Sequence, residues 1–172
     1  MSTVTAAETM YSIIGRIAGL LASPGFPTAD RAVLRRISPD QPLPLTFYRF
    51  AVRHLPEGWD LSTARLRDWA TIVAGMAIMS PNAHRPDVGL GRALSEAGFS
   101  EARLERLLQS ADNTRRTLLL RAARFLAAKN QPCNWVDGAW FLLTPDHDTE
   151  RREEIHRRIA RDFYAASIES ER

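Results

Sequence analysis

Two sets of residues in this chain have types and spacings that could do chemistry: the pair His147-Asp148, and arginines set one helical turn apart. Adjacent His and Asp occur in metal-dependent phosphohydrolases, where an H…HD…D pattern holds the metal, and His54 or His84 with Asp162 would formally complete it. Such a site needs ligands converging from facing helix walls. His147 and Asp148 instead follow Pro145, where a turn and a helix N-cap account for both. No H-x-x-x-H or E-x-x-H spacing is present. There is no G-x-S-x-G and no phosphate loop, and Gly89-Leu90-Gly91 lacks the preceding strand that a dinucleotide fingerprint requires. Cys133, the single cysteine, has no partner for a disulfide and reads as inert. These readings point to no catalysis, no cofactor and no metal.

The arginines remain. Lys129 is the only lysine among 23 basic residues, so nearly every cation is a planar guanidinium able to fork onto phosphate or stack on a base. A GC-rich genome would produce the same bias, so position has to carry the argument. Arg31 and Arg35 are i,i+4 neighbours, as are Arg49 and Arg53. From residue 31 to 56, Arg31, Arg35, Arg36, Arg49 and Arg53 stand against Asp40. Between 113 and 136, Arg115, Arg116, Arg121, Arg124 and Lys129 have no acid among them, whereas the chain from 144 onward holds more acid than base. At about 100° per residue, Arg116, Arg124 and Arg121 share an arc of roughly 140° and leave Leu119, Ala122, Ala123 and Leu126 to pack. The expected product is an amphipathic helix with a cationic outer face. Trp69 and Trp140 fall on apolar stripes and read as core; Trp59 is the candidate exposed platform for stacking a base.

The elements that must position these side chains are helices. Apolar residues recur at helical spacing almost throughout, and no alternating β-branched run suggests a sheet. The expected fold is all-α, about nine helices in two packed bundles, 1–82 and 83–172, divided at the loop SPNAHRPDVG. With 172 residues, 45% of them hydrophobic, the chain can bury its core without disulfides or metal. The first helix is expected from Thr5, capped in a T-x-x-E box with Glu8, and burying Met10, Ile13, Ile14, Ile17 and Leu21. A helix from 44 to 55 is expected to turn Leu45, Tyr48, Ala51, Val52 and Leu55 inward. Ser62, Ser100, Asn134 and Asp148 are expected N-caps, and the helix from 62 to 79 the most buried. The N-terminal stretch has neither a basic leader nor an uninterrupted apolar run, so a soluble cytoplasmic protein with no membrane partner is expected.

Read together, Leu34-Arg35-Arg36-Ile37-Ser38, Phe47-Tyr48-Arg49, Gly58-Trp59, Leu90-Gly91-Arg92-Ala93-Leu94, Ala111-Asp112, Leu120-Arg121 and Trp135 form an ordered series. In that order and spacing the chain resembles the CasB family, the small subunit of the type I-E CRISPR surveillance complex, Cascade, from about Met10 to Tyr164. The resemblance implies a non-catalytic all-α subunit present in two copies beside the other Cascade subunits. It also implies basic side chains along a groove that contacts crRNA and target DNA and holds the displaced strand. By motif match it assigns Arg36, Arg49, Arg92 and Arg121, with Arg35 beside them; Arg53, Arg116 and Arg124 are added from helical geometry alone. Replacing a DNA duplex by an RNA–DNA heteroduplex is nearly balanced, so modest contacts to the freed strand would tip it. The competing reading is a helical adaptor that binds protein and never touches nucleic acid.

Overall fold

The computed structural model describes residues 8–172. Among them the chain forms nine α-helices: α1 (Met10–Ala22), α2 (Thr28–Arg35), α3 (Leu45–His54), α4 (Thr63–Met79), α5 (Leu90–Glu96), α6 (Glu101–Gln109), α7 (Asp112–Ala128), α8 (Trp135–Leu143) and α9 (Thr149–Ser170). The only β-type pairing among the described residues is an isolated bridge between His84 and Cys133. The fold class is all-α.

Local chemistry starts these helices where the caps are. Ser62 accepts the N–H of Arg65 at 3.1 Å, Ser100 that of Arg103 at 3.2 Å, Asn134 that of Val136 at 3.0 Å and Asp148 that of Arg151 at 3.3 Å. Each satisfies a first-turn donor that has no partner within its helix. Helix α1 begins later than its T-x-x-E signal suggests. Its cap is Thr9, which accepts from Ser12 at 3.1 Å, and Glu8 pairs with Arg16 instead; Thr5 lies outside the described residues. Helix α7 ends in a Schellman turn, with Asn130 at φ 51° and the Gln131 N–H reaching the Leu126 carbonyl at 2.9 Å.

Helix α4 is the spine. It buries an unbroken run from Trp69 to Ala77 and packs on α1, α2, α7 and α8. Close approach is built in at Gly75, where a Cβ would come within 2.2 Å of the Trp135 ring. Gly91 does the same for α5 and α9: a Cβ there would lie 2.0 Å from the Ile159 carbonyl oxygen. The buried side chains form one contiguous cluster from Ile13 to Phe163, so α4 meets α7 and α8 across residue 82.

Helix α3 corrects the expected phase. Phe47, Phe50 and Ala51 face inward with Leu55, while Leu45 (83% exposed) and Val52 (76%) face solvent beside the half-exposed Tyr48. The helix is apolar on two adjoining faces, so periodicity alone does not choose between them. The aromatic face wins: Phe50 packs edge-on to Phe26, and Phe47 edge-on to Trp59. Trp59 is therefore half-buried against the core rather than a free platform.

The loop at 80–89 is pinned. Cys133 donates to the Ala83 carbonyl at 3.3 Å and accepts from Arg85 at 2.9 Å; Asn134 donates to Val88 at 2.6 Å. The Trp135 N–H ends on Nδ1 of His84 at 3.0 Å. This seam ties the two ends of the α5–α7 segment together.

Candidate functional site

Most guanidiniums find a hydrogen-bond or ion-pair partner within the chain. A helix C-terminus presents unpaired carbonyls and the negative end of the helix dipole, which suits a cation with several directed donors. Five helices end on such an arginine. Arg31 donates to Leu21 and Ser23 at 2.8 and 3.2 Å after α1, and Arg16 to His54 at 2.7 Å after α3. Arg35 donates to Ala77 at 2.9 Å on α4, and Arg115 to Ser110 at 3.0 Å after α6. Arg152 donates to Phe141 and Thr144 at 3.1 and 2.9 Å after α8.

The residues singled out from sequence divide accordingly. Arg35 is one of these caps. Arg49 pairs with Asp30 at 2.9 Å, an acid one position outside the window that looked acid-poor. Arg92 lies 2.8 Å from Glu96 and 3.5 Å from Glu169. Arg116 is buried, not on an outer face: its Nε meets Asp68 at 2.7 Å, and its other nitrogens donate to Asn113 at 2.7 Å and to the Ala64 carbonyl at 3.3 Å. The helical wheel explains this, because Arg116 lies only about 20° from the packed Ala123. Burial pushes the Asp68 carboxyl above its ordinary range despite the opposing pull of Arg116. Arg36, Arg53, Arg121 and Arg124 are exposed and, among the described residues, have no carboxylate within salt-bridge distance.

Two of these free cations stand on α7 beside a recess shared with α6. Phe99, Leu107, Leu118 and Phe125 line it together with Arg103, Arg106 and Arg121, enclosing about 440 Å³. The Arg103 guanidinium lies 5.8 Å from the centroids of both Phe99 and Phe125, which themselves meet edge-on at 5.3 Å. Lys129 lies 6.0 Å from the Phe125 ring. Among the described residues none of these cations has a salt-bridge partner, and no carboxylate lines the recess. Unneutralised like charges held together favour an anion between them. Arg124, one residue from the packed Ala123 and exposed, extends the same positive surface.

Arg103 and Arg106 were not evident from the sequence. Helix α6 also carries Glu101 and Glu105, which makes it look neutral, but neither lines the recess: Glu101 hydrogen-bonds Tyr164 of α9, and Glu105 accepts from Gln109 at 3.4 Å. The i,i+3 spacing of the arginines was the available signal.

The family model for CRISPR-associated protein Cse2 matches residues 30–164. The chain belongs to the Cse2 family. Members of this family are structural subunits of Cascade, the CRISPR-guided defence complex, and this chain is accordingly a Cascade component. No curated protein matches it. The matched span runs from within α2 to within α9 and includes the whole α6–α7 recess.

Seen in this Cse2-family fold, the Leu90-Gly91-Arg92-Ala93-Leu94 block is chiefly a packing motif. Leu90, Gly91, Ala93 and Leu94 are buried against α9, and the N–H of Leu90 is held by the buried Asp137 carboxylate at 3.0 Å. Asp148 serves as the α9 cap. Among the described residues no three His, Cys, Asp or Glu side chains converge as a metal site would require. Burial pushes the Cys133 thiol upward, against thiolate chemistry. No described helix is long and apolar enough to cross a membrane.

Proposed function

We propose that this Cascade subunit is non-catalytic and holds nucleic acid through the free guanidiniums of α6 and α7, stabilising the R-loop by gripping the displaced DNA strand. The observation that carries the reading is the cluster Arg103, Arg106 and Arg121, unneutralised around one recess, with Arg124 beside it. Arg36 and Arg53 supply further free cations on the α2–α3 side. Partners in this reading are crRNA and target DNA including its displaced strand, the other Cascade subunits, and a second copy of the chain, in the cytoplasm.

Guanidiniums on phosphates give a salt-sensitive grip that is indifferent to sequence. On single strands log K falls with log salt at about −0.7 for each phosphate neutralised. Charge reversal of Arg106 and Arg121 (R106E/R121E) in a reconstituted complex is expected to cut R-loop yield and flatten that slope by about 1.4 for two lost contacts. Unchanged yield and slope in a folded variant overturn the reading.

One observation favours a protein contact as well. Leu45 and Val52, with the half-exposed Tyr48, form an apolar stripe at helical spacing on the outer face of α3. A chain acting only as an adaptor would show no affinity for single or double strands in a salt series, even when assembled with its partners.

A further inference from the structure

We propose that the α6–α7 recess receives one unstacked nucleobase, so that the groove takes single-stranded nucleic acid and rejects duplex. This deepens the nucleic-acid reading above and rests on it.

A surface that grips phosphates alone needs only charge. Here the cations rim a concavity whose remaining walls are apolar: Leu107, Leu118, Phe99 and Phe125. Its volume of about 440 Å³ lies within the range of clefts for small organic ligands, about 300–1,000 Å³. A duplex keeps its bases stacked inside and offers a convex sugar-phosphate exterior, so nothing planar and apolar reaches such a depression. An unpaired strand can turn a base into it while its phosphates stay on the arginine rim. Arg103 supplies the stacking element, since it lines the recess while its guanidinium packs against Phe99 and Phe125. A planar cation resting on aromatic rings is a sequence-tolerant partner for a base, because every base has a π-face. No Asn, Gln, Ser, Asp or Glu lines the recess, so only the guanidiniums, which donate and cannot accept, can meet a base edge there.

The test compares three ligands on the full chain, free and in the reconstituted complex, by fluorescence anisotropy: a mixed-sequence single strand, the same strand made abasic, and its duplex. Removing the bases is expected to weaken binding about 5- to 150-fold, the range for one base–aromatic stack, and the duplex is expected to bind more weakly than the single strand. The R103K variant keeps the charge but loses the plane. It is expected to retain the salt slope and lose most of the difference between normal and abasic strands. Equal affinity for the abasic and normal strands, or an R103K chain that still discriminates fully, overturns the base slot and leaves the phosphate grip standing. Absence of binding to all three ligands, free and assembled, overturns the nucleic-acid reading itself.

Discussion

Truncating Arg116 separates arginines that hold the fold from arginines left free. In R116A the Asp68 carboxylate, whose side chain is 14% exposed, loses its partner at 2.7 Å. The Asn113 oxygen and the Ala64 carbonyl lose a donor too. Stranding one member of a buried ion pair costs about 3–5 kcal/mol. With a urea slope of about 2–3 kcal/mol per molar, the midpoint should fall by about 1–2.5 M. R121A removes a guanidinium with no carboxylate partner and should stay within about 0.5 kcal/mol of the parent. Urea unfolding followed by circular dichroism measures both. The double change D68L/R116M, which removes both charges and restores apolar volume, should recover most of the loss, because a stranded charge costs more than an absent pair. If R116A unfolds at the parental midpoint, or R121A falls as far as R116A, the division between structural and free arginines is wrong.

Two further outcomes follow from packing and titration. G91A places a methyl 2.0 Å from the Ile159 carbonyl oxygen, and should cost about 1–3 kcal/mol or more as α5 is pushed off α9; a parental urea midpoint would contradict that close approach. His84 accepts the Trp135 N–H on Nδ1, and burial lowers its pKa below the ordinary imidazole value of 6.5, as it does for His54 and His156. Below about pH 6.5 the unfolded chain therefore binds more protons than the folded one, so this stability is full above that pH and is lost as pH falls through the folded values. Asp68 and Asp137, raised by burial, act with the opposite sign toward the acid end. The urea midpoint should drop between pH 7.5 and 5.5, and H84N, which keeps an acceptor but cannot titrate there, should reduce the drop; an unchanged slope in H84N would refute the role given to His84.

Ser62, Ser100, Asn134 and Asp148 were legible in the sequence because an N-cap is a local event: the hydroxyl, amide or carboxylate bonds an N–H two or three residues on. The stripe of α1 from Ile13 to Leu21 and the burial of α4 were legible for a similar reason, since one apolar phase dominates each. In α3 two adjoining faces are apolar, and the choice between them depends on Phe26 and Trp59, which approach from elsewhere in the chain. The acid-free run around α7 was a poor guide to free charge. Arg116 finds Asp68 and Arg115 finds Asp146, partners that no local count includes. The α6 side of the recess was missed for the converse reason, because Glu101 and Glu105 lie beside Arg103 and Arg106 in sequence but do not line the recess, Glu101 meeting Tyr164 and Glu105 meeting Gln109.

The hydrogen bonds joining Ala83 and Val88 to Cys133 and Asn134 close a loop that contains α5, α6 and α7. The entropy of closing such a loop grows only with the logarithm of its length, about 0.6 kcal/mol for each doubling. The short junction between α6 and α7, the buried Ser110 and the exposed Ala111, lies inside the loop and away from its tie points. Residues added there would lengthen an already closed segment and cost a small fraction of that figure. The junction that joins the two helices of the recess is thus a place where added chain is thermodynamically cheap, and where the connection can lengthen while the α4 spine stays unchanged.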